Sequence, residues 1–271
     1  MTLRFPNNFW RRNGATTSDG QPVYASFSTN WDTGDDTVPG PFCDLNWGSP
    51  REQSHEEPLL NYTVNVPDNY EPNYAYPLVV WLHDDGGSEL DALTLLPALS
   101  TQNYIGLGIR GNAAAKTPSP SGYGWSNSRE SMAILENIVP RCVGRIGRDY
   151  HIHTERIYLA GFGDGASMAM ELLLSRPAWF SGAVALGGPL PRQKNLLARY
   201  RMLSGQRMLI GAGVRDKRMP ITEVVRAGRL LHAAGIDVST RAYDAGHEVS
   251  PEMLSHANSW LMEGICATHY V

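Results

Sequence analysis

Apolar positions in this chain fall into short blocks separated by turn residues, and from about residue 59 onward the blocks become regular. Leu59 to Val66 (LLNYTVNV) alternates apolar with polar, which predicts a half-buried strand closed by Pro67, Asp68 and Asn69. Pro77 to Leu82 (PLVVWL) is apolar throughout, as in a central parallel strand. Tyr104 to Ile109, Arg156 to Gly161, Ser181 to Leu186, Arg207 to Ala212 and Val238 to Tyr243 predict further strands. Between them, helical spacing runs over Ser126 to Tyr150, with Leu135, Ile138, Val139, Cys142 and Ile146 on the apolar side and a kink expected at Pro140. Gly165 to Ser175 is an apolar helix. Pro220 opens another in its first turn, ending near Gly235, and Pro251 to Met262 is the last. Strands alternating with helices predict a mostly parallel sheet with helices on both faces. Ligands of such sheets sit at the carboxyl ends of the strands, so chemistry is expected after Leu82, Ile109, Gly161, Ala212 and Tyr243.

Residues 1–58 lack this regularity. They are rich in Asn, Asp, Gly, Pro, Ser and Thr, with aromatics of no clear period, and read as an extended arm packed on the domain formed by residues 59–271. A short strand is expected at Val23 to Ser28. The N-terminus has no secretory h-region, and no run of about 18 apolar residues occurs, so neither a signal nor membrane insertion is expected. A cytoplasmic location is the default. A net charge of -4 with scattered Lys and Arg gives no reason to expect nucleic acid. The runs Arg11-Arg12 and Arg215 to Arg218 read as solvated surface. Cys43, Cys142 and Cys266 are far apart and odd in number, which supports neither a disulfide framework nor a zinc site.

The strand ends carry unusual residues: His83-Asp84-Asp85-Gly86-Gly87, then Gly161-Phe162-Gly163-Asp164-Gly165, then Gly213-Val214-Arg215-Asp216, then Gly246-His247-Glu248. A turn, an acid and a histidine in that order, each after a strand, follow the triad logic of an α/β-hydrolase. Here the chain resembles the carboxylesterase/phospholipase group of α/β-hydrolases, with dienelactone hydrolases as near relatives. The resemblance covers roughly residues 59–262 and includes Tyr150 to Gly161, Arg215 to Pro220 and Ala245 to His247. It implies an α/β-hydrolase fold, no cofactor, and a small-molecule ester or acyl ligand. It also implies that Asp216 and His247 are the acid and base, and that the nucleophile stands at the centre of G-x-S-x-G.

That central residue is Gly163. The elbow strains any residue with a Cβ, and glycine escapes the strain, as expected where selection for the nucleophile has lapsed. Ser167 lies one turn into the helix, facing a neighbour rather than the pocket. As a dinucleotide-binding loop, GFGDGAS lacks its third glycine and comes too late in the sheet. Asp84, Asp85 and Asp164 fall where the resemblance puts the oxyanion hole, and carboxylates there oppose a developing negative charge; Asp164 is explained as an acid favoured at a helix N-terminus, whereas Asp84 and Asp85 are hard to reconcile with acyl transfer. With His247 they offer ligands for a divalent cation, but no metal signature spaces them, and no metal is expected. Tyr123 and Trp125, in a Gly-Pro-Ser loop, either wall a ligand pocket or are packing aromatics, as do Trp179 and the Gly187 to Pro191 loop. Three functions follow: a pseudo-hydrolase with a binding or structural role, an enzyme using the Asp216–His247 dyad as general base, or an esterase with another nucleophile. A serine placed at 163 is expected to project toward His247 and become acylable.

Overall fold

The structure, a computed structural model, describes residues 25–27, 61–116, 122–126, 129–191 and 202–267. The described strands are β1 (Ala25–Phe27), β2 (Tyr62–Asn65), β3 (Tyr76–Leu82), β4 (Ile105–Ile109), β5 (Ala113–Ala114), β6 (Tyr123–Gly124), β7 (Ile152–Phe162), β8 (Gly182–Leu186), β9 (Arg207–Gly213) and β10 (Asp237–Tyr243). The helices are α1 (Ala92–Leu99), α2 (Arg129–Asp149), α3 (Asp164–Ser175), α4 (Ile221–Ala233) and α5 (Pro251–Ala267). Eight strands form one sheet in the order β1-β2-β4-β3-β7-β8-β9-β10. The β1–β2 and β2–β4 pairs are antiparallel, and every pair from β4 to β10 is parallel.

Alternation along the central strands divides the core. Leu78, Val80, Leu82, Ile157, Leu159, Met208 and Ile210 face α2, α3 and α4, while Val79, Trp81, Tyr158, Ala160, Val184 and Leu209 face α1 and α5. Both faces are covered, which is why β3 is buried along its whole length. The strand order reverses around β3, which lies between β4 and β7, and it is outside the carboxyl ends of strands at such a switch point that sheets of this kind take ligands.

Helix α1 and the short strands β5 and β6 escape the sequence pattern. Helix α1 carries Pro97 internally and is only eight residues long, too little for periodicity to reveal, yet Leu96 and Leu99 are buried. Tyr123 lies in β6, paired antiparallel with β5, rather than in an open loop. Pro220 caps α4 from outside the helix instead of entering its first turn, and α2 continues past Pro140. Of the expected arm, Ala25–Phe27 pairs with Tyr62–Val64 at the sheet edge. The remainder of 1–58, including Arg11, Arg12 and Cys43, lies outside the described residues. Cys142 is buried, and burial pushes its thiol up to about 12. No helix among the described residues is long and apolar enough to cross a membrane.

Candidate active site

The loop after β3 is held by buried polar contacts. The His83 ring accepts the Gly111 N–H at Nε2 (2.8 Å) and meets the Asp84 carbonyl at Nδ1 (2.6 Å), so its neutral tautomer is set from both sides. Burial pushes its pKa down, which agrees with a neutral ring. The Trp125 indole donates to the His83 carbonyl at 2.7 Å, and the two rings lie 5.0 Å apart. Gly86 N–H donates to the Tyr123 carbonyl (2.9 Å) and Tyr123 N–H to that of Gly87 (2.8 Å). Asp85 accepts the Lys116 N–H at 2.9 Å. These contacts aim Asp84 inward.

Gly163 occupies the turn between β7 and α3, with φ 55° and ψ -122°. That backbone strains residues carrying a Cβ. Tight packing explains the next glycine: a Cβ on Gly165 would strike the Leu82 carbonyl, so α3 could not start this close to β3. At Gly163 the obstacle differs, because a Cβ built there falls on the Asp84 carboxylate.

Asp84, Asp164, Asp216, Arg218 and His247 converge on this turn. Asp216 is buried. It accepts the N–H groups of Arg218 (2.8 Å) and Met219 (3.0 Å) on Oδ1 and meets His247 Nδ1 at 2.7 Å through Oδ2. The other imidazole nitrogen, Nε2, lies 3.2 Å from Asp84 Oδ2. Asp84 Oδ1 accepts the Asp164 N–H at 2.8 Å. Arg218 grips the same carboxylate with Nη1 at 2.8 Å and Nη2 at 3.4 Å. Asp164 itself is balanced by Lys116 at 2.8 Å and Arg218 at 3.5 Å.

The electrostatics follow from these bonds. Burial alone would raise the Asp84 pKa, but hydrogen bonds from His247, Asp164 N–H and Asp85 N–H, with the Arg218 charge, outweigh it and hold the carboxyl well below the usual range. The hydrogen bond with Asp84 raises the His247 pKa. Burial opposes that rise and Asp216 adds to it, and the net shift is upward. A carboxylate on each ring nitrogen therefore favours the imidazolium.

Several expectations change here. Arg218 is not simply solvated surface: it spans Asp84 and Asp164, and only its position in a surface-like basic run hid it. Lys116 was likewise invisible in the sequence. Asp164, at the start of α3 as expected, is paired with Lys116 and Arg218, and Asp85 accepts the Lys116 backbone N–H. Trp125 is 1% exposed, so it braces the β3 loop instead of walling an open pocket. The Arg110 guanidinium lies over the Tyr123 ring at 4.4 Å. Trp179 precedes the amino end of β8, opposite the site, under the Arg176 guanidinium. The Gly187 to Pro191 loop does lie on the site side: Ser167 Oγ donates to the Pro189 carbonyl at 2.7 Å, which engages that hydroxyl. Among the described residues, no group of three or more His, Cys, Asp or Glu side chains is arranged to hold a metal ion.

A parallel sheet that brings a glycine-rich strand-to-helix turn, a buried acid and a histidine to neighbouring strand ends defines an α/β-hydrolase. The chain belongs to the phospholipase/carboxylesterase family, whose model matches residues 126–265, more than half its length. Among curated relatives, a probable feruloyl esterase C from Aspergillus niger is 29% identical over 130 residues, 47% of this chain and 46% of that protein. A probable carboxylesterase SOBER1-like from Arabidopsis thaliana is 25% identical over 114 residues, 41% of this chain and 44% of that protein. The chain thus spans about half the length of the curated relatives it matches. Among solved structures, esterase PE8 superposes with a TM-score of 0.62 at 20% identity, covering 75% of this chain and 98% of that one. The Bacillus cereus carboxylesterase gives 0.59 at 20% identity, covering 76% and 94%.

Proposed function

We propose that this member of the carboxylesterase family forms no acyl-enzyme and serves as a binding protein for a small acyl or ester-derived ligand. One observation carries this: the Asp84 carboxylate fills the volume a side chain at position 163 would need and takes the Asp164 N–H. In an active relative that N–H would face the oxyanion of a tetrahedral intermediate. Both the nucleophile's space and part of the oxyanion hole are therefore occupied. Asp84 does not replace the serine chemically. With both oxygens engaged by donors and its charge so well stabilised, it is a poor base and a poor nucleophile.

The intact contact between Asp216 and His247 favours a second reading, in which His247 acts as general base on water. A general base must start neutral, and Asp84 opposes that by favouring the imidazolium. The dyad would have to shed Asp84 first.

Fluorophosphonate labelling and turnover of short p-nitrophenyl esters test the proposal. Neither covalent labelling nor a burst is expected. A labelled serine, or turnover on the order of 10 s⁻¹, would overturn it.

A further inference from the structure

We propose that Asp84 is an internal stand-in for a ligand's carboxylate, and that Asp164 N–H, His247 Nε2 and the Arg218 guanidinium form a binding site for small monocarboxylates. This names the ligand class of the site described above and rests on the reading that no acyl-enzyme forms there.

The donors suit that anion. A carboxylate has two oxygens in one plane, each able to accept two hydrogen bonds. Here one oxygen receives the Asp164 N–H and an Arg218 nitrogen, and the other meets His247 Nε2 and the second Arg218 nitrogen. The guanidinium fork addresses both oxygens, as it does in bidentate carboxylate recognition. The Asp164 N–H also opens helix α3, twelve residues long, whose positive end adds to the attraction. The cationic groups are anchored independently of Asp84. His247 is fixed by Asp216, the Arg218 backbone N–H is fixed by the same buried carboxylate, and the Arg218 guanidinium also reaches Asp164 Oδ1 at 3.5 Å. Removing Asp84 therefore leaves the cradle standing.

The site is also reachable. The Asp84 side chain is 21% exposed and that of Arg218 46% exposed, so rotation of Asp84 about its own Cα–Cβ bond opens the cradle to solvent without moving the sheet. While Asp84 is in place it competes as an intramolecular group, whose effective concentration is in the millimolar range or above. A free monocarboxylate at comparable concentration then gains little. The acid released from an ester carries this same group, so the site fits the product side of the family's chemistry.

Benzoate is a suitable probe, with benzamide as its neutral counterpart. Calorimetric titration of the full chain and of its Asp84→Ala and Asp84→Asn variants should show benzoate binding at least about tenfold tighter to Asp84→Ala than to the parent. Binding to Asp84→Asn should be intermediate, because the amide keeps the side chain's size but not its charge. Adding Arg218→Gln to Asp84→Ala should abolish the gain, and benzamide should bind none of the proteins measurably. The His247 ring should titrate at lower pH in Asp84→Asn than in the parent by NMR, and benzoate should raise it again in Asp84→Ala. The asparagine variant maintains the test should the alanine variant fail to fold. Equal benzoate affinity for the parent and a folded variant, or benzamide binding as well as benzoate, would overturn the proposal. Ester turnover by the parent chain would instead overturn the absence of an acyl-enzyme, so the two failures are distinguishable.

Discussion

At position 163 a serine side chain and the Asp84 carboxylate compete for one volume. The expectation that Gly163→Ser alone yields an acylable serine therefore needs correction: the new Cβ must first displace a carboxylate held by Asp164 N–H and Arg218. Gly163→Ser should fold with reduced stability, about 1–3 kcal/mol from backbone strain alone, and should not label with fluorophosphonate. Gly163→Ser combined with Asp84→Gly should label, because His247 Nε2 is then free to take the serine proton while Asp216 holds the ring. Labelling by the single variant would show that Asp84 yields easily. A melting temperature equal to that of the parent would show that residue 163 is not strained.

Helix α3 does two jobs, and its sequence shows the conflict between them. Its first turn lies at the site, while its body is almost wholly buried against the sheet, with Glu171 among the buried residues. Burial, with Glu136 nearby, pushes the Glu171 carboxyl up to about 7. A carboxyl with a raised folded pKa binds its proton more tightly in the native state than in the unfolded chain. Stability should therefore fall as pH rises between the ordinary carboxyl range near 4.5 and about 7, by at most roughly 3 kcal/mol. Glu171→Gln removes the titration. Its melting temperature should exceed that of the parent at pH 8 and approach it as the pH falls below the ordinary carboxyl value of 4.5. An equal difference at both ends of this range would mean that Glu171 is not ionising at a cost.

For the whole molecule, the β1 edge of the sheet sets the next test. β1 pairs with β2 and thereby covers backbone groups that would otherwise present a free edge. We propose that residues 1–58 act as an arm on a hydrolase domain formed by residues 59–271. A chain cut to residues 59–271 should keep its helical circular dichroism but self-associate through β2, seen as concentration-dependent mass in light scattering. A monomer as stable as the full chain would show that the arm does not protect this edge.

By itself the sequence determined the framework. Short apolar blocks alternating with amphipathic helices dictate a parallel sheet covered on both faces, since a strand buried on both sides must be apolar at every position, as Tyr76–Leu82 nearly is. The order of turns placed Gly163, Asp216 and His247 at strand ends, because each turn's residues are local in the chain. What only the tertiary structure decided is the state of the site. Asp84 meets Asp164 across 80 residues, Arg218 across 134 and His247 across 163. Periodicity records which face a backbone position takes, not which distant cation a turn carboxylate will meet. For that reason the sequence marks Arg218 only as surface, gives Lys116 no role, and leaves the bond between Asp84 and the Asp164 N–H to the tertiary structure.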